Sequence, residues 1–457
     1  NLTYSYYSLI PASIPEPLAL RLVQYYQTRL EEDLSAHDKI EFEIIFSSYD
    51  FMTEENSKRL LRYGFTEEER KLLVREVKKL TIDAVMNQEK ILKEDLEALK
   101  RLENCREEIE KLLYQDVSID IIIDSILTLL KEIRTNGTPQ FARQARLAFI
   151  ARAFLRTLVD AGYYTSENVD TFMQGISTVS SEFNDDFERF SEGLISREEF
   201  NFKYGHLRSG TYDIRSDRYD AMNFRPAPSR IKKDKVKIQK DLDISILTQA
   251  LEDTQLDVPA ERMAKFWISA IEQREYFKFT KSLSMVLELI RKLGSILEIR
   301  TMDLSWLCVD DFKLYESGCD PENLKKLWMK LITKRRRLNH DSRLILLPEV
   351  ILSGASVDVI PVYEARPNFI TAKTVEGEVV LLDEEPDADI TGKIVVVPKA
   401  DPGYEWIFTK NIKGFITKYG GAASHMAIRC AEFNIPAAIG CGEKIYDTVS
   451  QLDYLEM

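Results

Sequence analysis

A glycine pair, a serine and a histidine stand together near the C-terminal end of the chain, in Gly420-Gly421-Ala422-Ala423-Ser424-His425-Met426-Ala427-Ile428. The apolar run Gly414-Phe415-Ile416-Thr417 precedes them, and a segment with helical spacing follows as far as Asn434. Ile435-Pro436-Ala437-Ala438-Ile439-Gly440 closes it, because Pro436 cannot continue a helix. The pattern predicts a strand, a glycine turn and a helix start, with His425 in the first helical turn. The first N–H groups of a helix have no intrahelical partners and, with the helix dipole, favour an anion. Glycines ahead of them let a phosphate approach the backbone. A neutral imidazole is a competent nucleophile near neutral pH, so His425 can attack phosphorus and carry a phosphoryl group. Gly420, Gly421, Ser424 and the N–H groups after them would hold its oxygens. The plainer alternative is a surface histidine at a helix start.

A second group of reactive side chains lies in Tyr204-Gly205-His206-Leu207-Arg208-Ser209-Gly210-Thr211-Tyr212-Asp213-Ile214. Arg208 suits a bidentate grip on phosphate or carboxylate, and His206 suits acid–base work or orienting a ligand. With Tyr212 and Asp213 they form a candidate substrate site, in a glycine-rich loop between helices of the kind that often carries function. The alternative is that His206 and Arg208 only tie this loop to Asp213 and its neighbours. Further on, Arg274 and Lys278 are four apart and share a helix face beside aromatics. They suit an anionic ligand, or are neutralised by Glu272 and Glu275.

The elements that must position these groups fall into two classes. Prolines 11, 15 and 17 disfavour a helix until Leu18, and a helix is predicted from there to about Glu32. His37 to Phe46 alternates charged and apolar residues and reads as a strand or a short helix. From Thr53 to about Arg134, Leu, Glu, Lys and Ile recur at helical spacing, with a capping-type start at Thr66-Glu67-Glu68-Glu69. Pro139–Ala161 and Ser166 to about Phe190 continue as helix; Arg143, Arg146 and Arg152 there line a pocket or pair with acids. Lys232–Lys240 reads as a basic connector, followed by helix over Asp241–Leu256 and Val258–Leu297. Pro321–Arg337 ends the helical part, and the basic run Lys334–Arg337 reads as a solvated helix end. Past Pro348 short apolar runs alternate with turns. The expected architecture is multi-domain: a large, mainly α-helical substrate-binding domain over 1–350, with loop 204–235 within it, followed by a small α/β domain over 354–457. Ser353–Ser356 is the expected hinge.

Composition removes several classes of function. The 457 residues carry a formal charge of −13, which argues against a nucleic-acid surface. The five cysteines are scattered without CxxC spacing, so a reduced cytoplasmic setting is expected and a zinc site is not. With four histidines in all, no protein metal centre is expected. No run is apolar for long enough to span a bilayer. The chain opens on Asn1, which suggests a fragment or the ordered part of a longer protein.

The glycine–serine–histidine stretch resembles the phosphohistidine swivel domain of the phosphoenolpyruvate-utilising enzymes, a family that includes pyruvate phosphate dikinase, phosphoenolpyruvate synthase, enzyme I of the sugar phosphotransferase system and rifampicin phosphotransferase. The resemblance runs through Gly420, Gly421, Ser424, His425, Ala427, Ile428, Ile435, Pro436, Ala437 and Gly440, and upstream through Gly392–Val397 and Asp401-Pro402-Gly403. Two positions depart from it. Ala423 stands where some members carry a regulatory threonine, and Ala431 where an arginine is usual. Arg429, one turn from His425, either takes over a phosphate contact or is a solvated charge. The resemblance implies a phosphotransferase with His425 as covalent carrier and with ATP and Mg²⁺ bound by an ATP-grasp domain that this chain lacks, expected upstream. A helical domain followed by the histidine domain is similar to the order in rifampicin phosphotransferase. The Ile10–Pro15 lead-in and the 204–214 loop resemble a branch tied to capsule polysaccharide genes, one member of which is an L-glutamine kinase. This implies a small polar acceptor, glutamine first, with AMP and phosphate released. The alternatives are a phosphoenolpyruvate synthase-type enzyme, an enzyme I-like carrier serving a protein partner, and an inert scaffold.

Overall fold

The structure is a computed structural model describing residues 10–37, 39–176, 179–208, 212–221, 242–272, 276–315, 320–342, 351, 366–371, 373–385, 388–422 and 424–457. The expected hinge at Ser353–Ser356, the connector Lys232–Lys240 and Arg274 lie outside the described residues, as does the side chain of Lys278.

The helical part is organised on one 44-residue helix, Glu67–Glu110. Thr66 starts it with a complete capping box, its hydroxyl taking the Glu69 N–H at 3.2 Å while the Glu69 carboxylate takes the Thr66 N–H at 2.8 Å. At 1.5 Å per residue such a helix is roughly 65 Å long, too long for one core. It serves two. Leu73, Val74, Val77 and Val85 enter a core with helices Glu16–Glu32, Thr138–Asp160, Ile244–Asp253 and Ala260–Glu272. Leu99, Leu102 and Ile109 enter another with Ile119–Asn136, Tyr276–Ile296 and Pro321–Ser342. Between the two, the buried carboxylate of Asp95 accepts from Arg143 at 3.1 Å and from Gln144 at 2.8 Å. Arg143 is thus one of the arginines that pairs with an acid.

Some local expectations shift for identifiable reasons. The first helix begins at Glu16, because Pro17 sits in the first turn, where its missing N–H costs nothing. Ile40–Ile44 forms a single π-turn, the helical of the two options. The helix expected from Ser166 to Phe190 is two, Ser166–Gly175 and Val179–Ser191; the chain turns extended at Ile176, straight after the helix-weakening Gly175. The basic run near Arg337 is exposed at Lys334, Arg336 and Arg337, as a solvated helix end would be, but two of its arginines also hold buried acids. Arg335 grips the buried Asp311 carboxylate, with one arm at 2.9 Å, and Arg336 pairs with the buried Asp303.

The C-terminal unit is a six-stranded sheet of order β1-β5-β4-β3-β2-β6. Its strands are β1 Asn368–Ile370, β2 Glu376–Leu381, β3 Ile394–Lys399, β4 Gly414–Tyr419, β5 Ala437–Ile439 and β6 Tyr454–Glu456. β2, β3, β4 and β5 run parallel, and β1 and β6 pair antiparallel at the edges. Ile394-Val395-Val396-Val397 is apolar without a break because both faces are covered. Val395 and Val397 face helix His425–Glu432, and Ile394 and Val396 face the side of helix Gly442–Val449. The parallel topology sends the segments after β3, β4 and β5 to one edge, the usual place for a ligand site in such sheets.

Two helices of the large domain meet at Gly137. A Cβ there would lie 2.9 Å from the Ile133 carbonyl oxygen, 2.9 Å from Phe279 and 3.0 Å from Leu102. Gly137→Ala is therefore expected to lose about 1–3 kcal/mol through overpacking. The check is a lower urea midpoint with an unchanged slope.

Candidate functional site

β4 ends at Tyr419, and the chain turns through Gly420, whose φ is +140°. A Cβ on Gly420 would stand 2.7 Å from the Cβ of Ala400, so the turn is pressed against the end of β3. Gly440, with φ +73°, closes the far side; a Cβ there would meet the Gly420 carbonyl oxygen at 2.2 Å. Its N–H is held by the Thr417 hydroxyl at 3.0 Å. Ser424 is the N-cap of helix His425–Glu432, its hydroxyl accepting from the Ala427 N–H at 3.3 Å and its own N–H donating to the Gly421 carbonyl at 2.9 Å. Gly420, Gly421, Ser424 and His425 are thus gathered in one turn, and His425 is the first residue of the helix. Its side chain is 28% exposed. Ala423 lies outside the described residues.

The imidazole is not alone. Its Nε2 meets the carboxylate of Glu405, which lies on the 3-10 segment Pro402–Lys410 that follows β3. The same carboxylate oxygen stands 3.1 Å from Nε of Arg429. Arg429 also pairs with Glu432, and its guanidinium lies 5.1 Å from the centre of the Phe433 ring. The Arg429 side chain is 1% exposed and that of Glu405 is 7%. Arg429 is therefore a buried, double-paired cation rather than a solvated charge. Sequence reasoning missed Glu405 and Glu432. Asp401-Pro402-Gly403 marked the segment, but only the β3–β4 pairing brings residue 405 beside residue 425.

The helical domain reaches the same place. Trp406 packs with Phe183, Phe187, Phe200, Tyr204 and Tyr219, an aromatic cluster of helices Val179–Ser191 and Arg197–Tyr204 and the loop after them. The Tyr219 hydroxyl donates to the Gly403 carbonyl at 2.8 Å. Burial, with the charges of Glu405 and Asp401, holds that phenol far above its ordinary pKa, so it stays a donor. Arg152 sits in the helical domain where burial lowers its pKa and the charge of Glu432 opposes the shift.

The candidate acceptor residues are held by helix Tyr276–Ile296. His206 is buried, with Nε2 at 3.1 Å from the Thr280 hydroxyl, and its carbonyl accepts from Ser284 at 2.8 Å. Arg208, also buried, donates to the Ser216 carbonyl at 2.5 Å and pairs with Glu288. Asp213 is occupied by Arg215 at 2.6 Å and 3.0 Å, and Tyr212 is half exposed with φ +61°. In this arrangement His206 and Arg208 tie the loop down, to Thr280 and Glu288 rather than to Asp213. The loop's Tyr219 corner carries that order to the histidine domain.

Burial keeps His206 neutral, its pKa well below the usual value, with Lys281 and Arg218 adding to the effect. The unfolded chain takes up a proton near pH 6.5 that the folded chain refuses. Stability is therefore full above that pH and falls as pH drops below it, by up to about 1.4 kcal/mol per unit for this group. Urea unfolding at pH 7.5 and 5.5 is expected to show that loss, and His206→Gln to reduce it.

Among the described residues no His, Cys, Asp and Glu cluster could hold a metal ion, and no helix is long and apolar enough to cross a membrane. Three relatives share part of this sequence. A phosphoenolpyruvate synthase of Synechocystis sp. is 28% identical over 106 residues, 21% of this chain and 13% of the relative. A phosphoenolpyruvate synthase of Pseudomonas aeruginosa is 27% identical over 188 residues, 41% of this chain and 20% of the relative. A rifampicin phosphotransferase of Bacillus cereus is 29% identical over 125 residues, 25% of this chain and 14% of the relative. The matches span at most 20% of the length of these relatives. The site itself falls within residues 390–456, which match the mobile domain of the PEP-utilising enzymes.

Proposed function

We propose that the chain is part of a phosphotransferase in which His425 is the covalent phosphoryl carrier. The observation that supports this most is the position of His425: first residue of a capped helix, behind a glycine turn, at the carboxyl edge of a parallel sheet, inside the stretch that matches the mobile domain. The unprotonated ring nitrogen attacks phosphorus, the N–P bond forms as a P–O bond of the donor breaks, and helix N–H groups in the turn steady the oxygens.

The donor in this reading is ATP with Mg²⁺, bound by an ATP-grasp domain outside these 457 residues. ATP, acceptor and water give phosphorylated acceptor, AMP and phosphate. The acceptor is a small polar molecule, and the side-chain amide of L-glutamine is the first candidate. The helical domain would receive it, with His206, Arg208, Tyr212, Asp213, Arg274 and Lys278 on the acceptor side. His206 and Arg208 are buried, which supports a role in shaping the loop on that side. The reaction fits a cytoplasmic enzyme acting in capsule polysaccharide synthesis.

The test uses the chain joined to its nucleotide-binding domain and ATP labelled in the β-phosphate. Acid-labile label is expected on wild-type protein, absent from His425→Ala, and chased by glutamine with AMP formed. Label that survives His425→Ala removes this reading. Label that no amino acid or sugar discharges moves the acceptor to a protein partner.

A further inference from the structure

We infer that Glu405 is a positioning residue that stands in for the phosphoryl group on the empty carrier, and that loading His425 expels it and loosens the contact between the two domains. The inference rests on the carrier reading of His425 and goes beyond it by naming what senses the load. Three observations carry it. The Glu405 carboxylate occupies Nε2 of His425. That carboxylate shares a nearly fully buried guanidinium, Arg429, with Glu432. Glu405 also lies on the segment Pro402–Lys410, whose Trp406 and Gly403 make the contacts with Phe183, Phe187, Phe200, Tyr204 and Tyr219.

A carboxylate and a phosphoryl group cannot both hold Nε2. They are also like charges, and the local cation is already matched by Glu405 and Glu432. When phosphorus bonds to Nε2, Glu405 must leave, and Arg429 is freed to meet the phosphoryl oxygens. Glu405 does not move alone. It is one residue from Trp406 and two from Gly403, so its departure strains the very contacts that seat the segment on the aromatic cluster. The empty carrier is therefore held against the helical domain, and the loaded carrier is released. By linkage, docking must weaken phosphoryl binding by the same factor as phosphoryl weakens docking.

The test needs no nucleotide domain. Phosphoramidate phosphorylates imidazoles directly: the N–P bond to histidine forms, the P–N bond of the reagent breaks and ammonia leaves. The whole chain is loaded in this way, the site is confirmed by mass spectrometry, and hydrogen exchange is compared with the unloaded chain. Amides of 403–410 and of the 179–204 helices are expected to exchange about tenfold faster on loading, with β3 and β4 unchanged. Glu405→Gln, which keeps the shape and removes the charge, is expected to load about tenfold faster, and its segment to exchange at one rate, loaded or not. Exchange within about twofold of the unloaded rate in loaded wild type overturns the inference while leaving the carrier intact. So does a wild-type loading rate in Glu405→Gln. Failure of His425 to take any phosphoryl group removes the carrier reading and this inference with it.

Discussion

A guanidinium taken out of water must be surrounded by anions, and the histidine domain is arranged around that requirement at Arg429. Its partners come from different places: Glu432 from its own helix and Glu405 from the segment after β3. Removing one partner from such a buried pair typically costs about 3–5 kcal/mol, a large part of what holds a small domain together. The pair therefore fixes the angle between the segment after β3 and the helix after β4. Because Glu405 also takes the His425 imidazole, the charge that satisfies the buried arginine is the one that orients that ring. Structural and chemical roles fall on one carboxylate.

The parallel sheet makes this meeting possible. β3 and β4 are hydrogen-bonded neighbours, so their carboxyl ends lie side by side and the chain leaving each must turn at the same edge. The turn after β4 is crowded from both sides: a Cβ on Gly420 would meet Ala400, and a Cβ on Gly440, which follows β5, would meet the Gly420 carbonyl. Close packing at the glycines leaves the His425 ring at the edge rather than in the core. The helical domain contributes at longer range. Its 44-residue spine carries two cores, and helix Tyr276–Ile296, packed on the second of them, anchors the loop that ends at Tyr219.

Much of this was legible in the sequence because the signals were local. The capping box at Thr66, the strand–glycine–helix run at Gly414–Glu432 and the division into a helical part and a small α/β part each follow from residues near one another in the chain. What was not legible depended on pairing at a distance. Glu405 and His425 are twenty residues apart, and Arg208 and Glu288 eighty. No periodicity relates such positions, and only the folded chain shows that Arg208 spends its charge on Glu288 rather than standing open. The break at Ile176 belongs to a third kind: one glycine inside an otherwise helical pattern, where local spacing favoured continuation and the backbone did not.

The contact between the two domains is weaker than its aromatic content suggests. Trp406 brings a large apolar surface to Phe183, Phe187, Phe200, Tyr204 and Tyr219, but its indole N–H is buried without a hydrogen-bond partner among the described residues. Such a group gives back about 1–3 kcal/mol of what the ring gains by burial. Tyr219 to Gly403 adds one neutral hydrogen bond, worth about 1 kcal/mol net; among the described residues the ion pair of Arg366 with Asp33 at 3.8 Å is mostly exposed, and the charge of Glu432 reaches Arg152, whose burial works against its charged form. Each domain meanwhile has its own closed core. Each unit is therefore held together by its own core more than by the contact between them.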